Sequence, residues 1–232
     1  MRVETDVDVM AAARPGMLRS LWVNPVGRKA LMAVSGVVLF LYVLAHMLGN
    51  LQIFGGEAPL DRYAQLLHAS PPFLWTARVI LLAALAVHVV AGVQLWVEKR
   101  RARPVGYATY APVVATPASR TMFWSGILIL GFVVYHVLDL TAGVVNPDFE
   151  EGQVYRNVLA SLSRAGASLF YLVALVGLGF HLFHGLRSMF QSLGFMSAGW
   201  LRPERRFATL FAVLVAIGFG AIPVAVLLGL GR

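Results

Sequence analysis

The residues of this chain that could do chemistry are histidines set in apolar surroundings. Six occur. His46, His88, His136, His181 and His184 lie within long hydrophobic runs, where an ionisable side chain is costly and needs a partner. His68 falls in a connection between two runs. With a helical rise of about 1.5 Å per residue, His46 and His136 stand about 25 Å from the basic ends of their runs, and His88 and His181 about 15 Å. The four therefore sort into two levels, His46 with His136 and His88 with His181. Two imidazoles at one depth on different helices are what a six-coordinate haem iron requires, one ligand from each face of the macrocycle. The chemistry would be electron transfer through two b-type haems. The competing use of such histidines is a proton relay or interhelical hydrogen bonding in a haem-free transporter, which predicts discontinuous helices and a polar midplane cavity. His184 could replace His181 as ligand or donate to a haem propionate. Asp139, one turn after His136, is the clear acid within a run, with an imidazole-orienting or a rim role open to it. Gly92 and Gly185, each four residues after an inner-level histidine, and Gly49, three after His46, would let a flat ring approach a helix or simply serve helix packing.

The elements that must position these side chains are legible in the composition. With 232 residues, 59% hydrophobic and 13% charged, and a mean hydropathy of +0.74, the chain is more apolar than a soluble core of this size could hide. Five runs, approximately 30–54, 73–97, 119–145, 164–191 and 207–230, have the roughly 20 residues needed to cross about 30 Å of hydrocarbon. The expectation is an all-α membrane protein, a five-transmembrane-helix bundle enclosing two haems b. It would form one membrane domain over 1–232, with 1–25 as a cytoplasmic N-terminal segment. A β-barrel would show short alternating segments instead. Glu4, Asp6 and Asp8 argue against a cleavable signal peptide. Cysteine is absent, which excludes a thiolate iron–sulfur cluster, a disulfide framework and covalent haem attachment on this chain.

The net charge of +8 does not point to nucleic acid, because the basic residues gather at the ends of the runs. Arg2, Arg14, Arg19, Arg28 and Lys29, then Lys99, Arg100, Arg101, Arg103 and Arg120, then Arg187, Arg202, Arg205 and Arg206 would share one side; Arg62, Arg78, Arg156, Arg164 and Arg232 would lie on the other. The positive-inside rule then puts the N-terminus in the cytoplasm and the C-terminus outside.

Around the histidines the chain resembles the single-chain dihaem membrane anchors of succinate dehydrogenase and fumarate reductase, the cytochrome b558 type. The likeness runs from about Val26 to the last helix. It is carried by Gly27-Arg28-Lys29-Ala30-Leu31-Met32-Ala33-Val34-Ser35-Gly36 leading to His46-Met47-Leu48-Gly49-Asn50-Leu51, by Arg103-Pro104 with Tyr107, and by His181-Leu182-Phe183-His184-Gly185-Leu186-Arg187 continuing to Gly194. Ser35 and Ser192 stand where the family carries Thr.

The resemblance implies that His46 and His136 are the axial iron ligands of an outer haem and His88 and His181 those of an inner one, with His181 preferred to His184. It further implies a place in complex II of the tricarboxylic acid cycle, in a prokaryotic cytoplasmic membrane, bound to a flavoprotein subunit and an iron–sulfur subunit. Electrons would pass between the iron–sulfur subunit and a membrane quinone, expected to be menaquinone. Membrane lipid is the other partner, and the dicarboxylate chemistry would reside on the flavoprotein, leaving no catalytic residue here. A hydrogenase or formate dehydrogenase anchor is the nearest alternative. Glu57, Asp61, Arg62 and Tyr63, just beyond His46 in the first outer connection, are candidates for the quinone site.

Overall fold

The computed structural model describes residues 16–102, 116–195 and 201–231. Arg2, Glu4, Asp6, Asp8, Arg14, Arg103, Pro104, Tyr107 and Arg232, invoked above, lie outside the described residues, as does the side chain of Arg202. Among the described residues the chain is helical and without strands.

A short helix α1 (Met17–Val23) leads into the first span, α2 (Pro25–Asn50). Proline at the first helical position suits α2, since its missing N–H would have had no intrahelical acceptor, and the Asn24 side chain accepts from the Val26 N–H at 2.9 Å. α1 folds back so tightly that a Cβ on Gly27 would collide with the backbone of Leu21. A 3₁₀ turn over Leu51–Gly55 continues α2 and gives way at Gly56, whose φ of 94° favours glycine, to α3 (Glu57–His68). The remaining spans are α4 (Pro71–Arg101), α5 (Pro117–Leu140), α7 (Ala165–Ser192) and α8 (Leu201–Leu227), with α6 (Val154–Ser163) between α5 and α7. Prolines again open α4 and α5, and Thr116 caps α5 through the Ser119 N–H at 3.2 Å. Lys99, Arg100 and Arg101 close α4, where cations complement the helix dipole. Among the described residues, five helices are long and apolar enough to cross a membrane.

The helix bounds depart from the apolar runs in ways that have local causes. Four spans begin earlier, three of them at prolines, Pro25, Pro71 and Pro117, and the last at Leu201. α5 ends at Leu140 rather than near 145, because Gly143 adopts a φ of 68° and lets the Val144 N–H turn back to the Leu138 carbonyl at 2.8 Å. Both outer connections contain helices, α3 and α6, rather than plain loops.

In lipid there is little hydrophobic drive between helices, so association relies on close packing of small residues. α7 shows this best. It packs against α2, α5, α6 and α8. Ala167, Ser168 and Ala174 are buried on it, as are Ala208 and Ala212 on α8. A Cβ on Gly177 would press on Leu128 of α5 at 2.8 Å. One buried apolar cluster joins Met47, Leu182, Leu186, Phe211 and Val215 between α2, α7 and α8. A second, at the outer end, joins Ile53 and Leu60 to Val158, Leu162, Tyr171, Ile222 and Val226. Large apolar side chains such as Trp75, Leu82, Trp124, Leu210 and Ile217 face outward, as lipid contact requires.

Candidate functional site

Four spans form a ring in which α2 packs on α4 and α7, and α5 packs on α7 and more lightly on α4. Each carries one histidine of the two levels, and the structure brings the rings together in the pairs that the depths indicate. The His46 and His136 rings have centroids 5.7 Å apart, and the His88 and His181 rings 6.2 Å. Each pair joins helices that are diagonally opposed in the ring, α2 with α5 and α4 with α7, so the imidazoles meet across the bundle axis.

A fit to haem can be tested on that spacing. With a metal–imidazole bond of about 2 Å on each side, two axial rings have centroids about 6 Å apart. Both observed pairs meet this. Ligation also needs a free lone pair on one ring nitrogen, which the partner of the other nitrogen decides. His88 Nδ1 lies 3.1 Å from the Met32 carbonyl, which can only accept, so Nδ1 carries the hydrogen. His181 Nδ1 is 3.3 Å from Ser125 Oγ, whose own hydrogen goes to the Met122 carbonyl at 3.0 Å. His136 Nδ1 lies 3.1 Å from the Tyr171 hydroxyl. In all three, Nδ1 is the engaged nitrogen, so Nε2 is the one that could bind a metal. His46 differs, because its ring nitrogens lie 3.3 and 3.4 Å from Asn50 Nδ2, one turn along α2.

Glycines do sit at the site, but different ones from those the spacing suggested. A Cβ on Gly36 would meet His88 Cε1 at 3.4 Å, and one on Gly126 would meet His181 Cε1 at 3.6 Å, so each inner histidine rests beside a glycine of a neighbouring span. Gly92 and Gly185 instead face Met32 and Met122. The flat ring that approaches Gly49 is that of Tyr63, whose atoms lie about 2.6 Å from where its Cβ would be. A three- or four-residue offset along one helix could not reveal these contacts between helices.

His184 is engaged on its own helix, with Nε2 3.2 Å from Ser188 Oγ one turn along α7. His68 is exposed at the end of α3, its Nδ1 2.8 Å from the Ala64 carbonyl. Below the inner pair, Arg28 bridges to Glu98, and among the described residues Arg28 Nε, a buried donor, has no partner, as expected beside an anionic ligand, while the buried acceptor Gln94 Oε1 is likewise unpaired.

Asp139 was open between a rim and an orienting role. It is fully buried, accepting from Ser161 Oγ, from Arg164 Nη2 at 2.9 Å and from the Tyr171 hydroxyl at 3.1 Å. Tyr171, to which the spacing of the histidines gave no pointer, thus links Asp139 to His136.

The outer candidates divide. Glu57 pairs with Arg156 at 3.0 Å, and Asp61 Oδ1 accepts from the Tyr155 N–H at 2.9 Å, so both acids tie α3 to α6. Arg62 and Tyr63 line a cavity of about 360 Å³ together with Gln52, Ala58, Pro59 and Leu66. That volume lies within the range of small-molecule sites. Through the contact of Tyr63 with Gly49, the cavity wall reaches the turn of α2 that follows His46. The described spans are continuous helices, unlike the broken helices that a haem-free transporter would need.

A family model described as Succinate dehydrogenase/Fumarate reductase transmembrane subunit matches residues 97–222, more than half of the chain. The matched stretch contains His136 and His181, while their ring partners His46 and His88 precede it. Comparisons with curated proteins and with solved structures gave no match.

Proposed function

This chain belongs to the succinate dehydrogenase/fumarate reductase transmembrane subunit family, and on that premise we propose that it is the complex's dihaem cytochrome b anchor. As a member, it is a transmembrane subunit of an oxidoreductase complex and associates with that complex's other subunits. The family is known for haem-binding membrane subunits. In this reading His88 and His181 hold an inner haem b, and His46 and His136 hold an outer one. Bound haem supplies one-electron transfer between the iron–sulfur subunit and a membrane quinone, in either direction.

The observation that carries the reading is the meeting of two imidazole pairs across the bundle axis at 5.7 and 6.2 Å, both close to the spacing of two axial ligands on one iron. The chain's own residues do the rest of the work by orientation. The Met32 carbonyl and the Ser125 and Tyr171 hydroxyls hold Nδ1–H of three histidines and aim Nε2 inward. Arg28 Nε is a donor suited to a propionate. The cavity at Arg62 and Tyr63 offers a guanidinium and a phenol as donors to quinone carbonyls.

A pyridine haemochrome assay on the detergent-purified complex tests the proposal. Two b-type haems per copy of this chain are expected, falling to one in His46→Ala or in His88→Ala. No haem in a folded sample would return the histidines to proton relay or packing.

A further inference from the structure

The four histidines differ in what stands behind them. The Met32 carbonyl behind His88 and the Ser125 hydroxyl behind His181 are neutral groups that end in the helix backbone. Behind His136 stands a phenol, and behind the phenol a carboxylate with no exposure to solvent.

The directions of these hydrogen bonds follow from the chemistry of the groups. Arg164 can only donate, and its Nη2 gives to Asp139 Oδ1 at 2.9 Å and to Ser161 Oγ at 3.3 Å. Ser161, accepting there, gives its own hydrogen to Asp139 Oδ2. The carboxylate is an acceptor on both oxygens, so the single hydrogen of the Tyr171 hydroxyl is committed to Oδ2. Only a lone pair of the phenol oxygen then remains for His136 Nδ1 at 3.1 Å, and His136 must donate from that nitrogen. A tyrosine without the acid behind it would be free to donate to Nδ1 instead, which moves the imidazole hydrogen to Nε2 and removes the ligand lone pair.

We propose that Asp139 is a positioning residue for His136, acting through the Tyr171 hydroxyl: by taking the phenolic hydrogen it makes the phenol an acceptor, fixes His136 as the Nδ1–H tautomer and presents Nε2 to the outer haem. Arg164 and Ser161 hold the carboxylate in that role. The inference rests on the reading of His136 as an iron ligand. It adds that this axial imidazole is the more electron-rich of those whose second nitrogen is held, because its acceptor is backed by an anion. A more basic axial imidazole favours oxidised iron and lowers the potential.

The test uses the whole complex and follows each haem by redox titration and low-temperature electron paramagnetic resonance, with His136→Ala identifying the outer signal. Tyr171→Phe is expected to keep both haems, to shift the outer potential upward with a changed outer resonance, and to leave the inner haem as in the parent, which also reports that the bundle is intact. Asp139→Asn must keep its carbonyl toward Arg164, so its amide faces Tyr171 as a donor. The phenol hydrogen is thereby turned toward His136, and a partial loss of the outer haem is expected. In the Tyr171→Phe background, Asp139→Asn should produce no further change. An outer potential and resonance unaltered by Tyr171→Phe would overturn the inference, as would an equal effect of Asp139→Asn in both backgrounds. Two haems retained in His136→Ala, or fewer than two in the parent complex, would instead overturn the ligand assignment on which it stands.

Discussion

At the inner end of the bundle the histidines lean on a carbonyl and a serine, and two charged pairs stand below them, Arg28 with Glu98, which is 43% exposed, and Arg187 with the buried Glu204 at 3.1 Å. At the outer end Asp139, with no exposed surface, lies one turn from His136 within the packed helices, and α3 and α6 cover that end with a shell of polar contacts. Among the described residues, neither inner pair is hydrogen-bonded to a histidine, and the partners of His88 and His181 are neutral. At the outer end a buried charge is linked by hydrogen bonds to a histidine, and a buried charge is costly unless it is paired and hydrogen-bonded throughout. Asp139 meets that condition through Ser161, Arg164 and Tyr171. Whatever disturbs its partners should therefore reach a histidine, which a change at the inner pairs should not.

The largest effect on stability is expected from Arg164→Ala, which leaves a buried carboxylate without its cation. A loss of about 3 kcal/mol is expected, toward the low end for a broken buried pair because Arg164 itself is 36% exposed. Thermal unfolding of the purified complex would read it as a lowered midpoint, with recovery in Arg164→Lys. A smaller and purely functional effect is expected at the outer cavity. Arg62→Gln should raise the quinone KM roughly tenfold, equivalent to about 1.4 kcal/mol of binding, with both haems intact. Glu57→Gln should leave that KM unchanged, since Glu57 is directed to Arg156. The reverse result would return the quinone to the acidic side of α3. The smallest effect belongs to the inner rim, where Glu98 is 43% exposed and Glu98→Gln keeps an acceptor for the buried Arg28, so the cost should be about 1 kcal/mol. If Glu98→Gln proved as damaging as Arg164→Ala, the contrast between the two ends would fail.

Several features were readable before any fold was considered. Depth along a helix is a local quantity, so the fixed helical rise is enough to set His46 level with His136 and His88 level with His181. The direction in which a side chain points is not local. Gly49 was a candidate for close approach of a flat ring, and a flat ring does approach it, but it belongs to Tyr63 of α3. Gly36 and Gly126 face histidines of neighbouring spans, and no offset within one helix could have exposed them. Glu57 and Arg62 are close neighbours in the chain, yet one joins α6 and the other lines a cavity, because α3 is a helix whose faces look in different directions. The helical form of α3 and α6 was itself missed, since short segments with several polar residues carry too weak a periodicity to be separated from loops.

Hydropathy and the fixed rise of a helix act residue by residue along the chain. By themselves they determined that the chain carries five runs long and apolar enough to cross a membrane, and that four histidines stand at two levels. Tertiary structure alone decided that the paired helices are diagonal, that Nδ1 of three histidines is engaged and Nε2 left free, and that Asp139 reaches His136 through Tyr171. These depend on the rotation of each helix about its axis and on contacts between residues far apart in sequence. Helix rotation is set by packing against neighbouring helices.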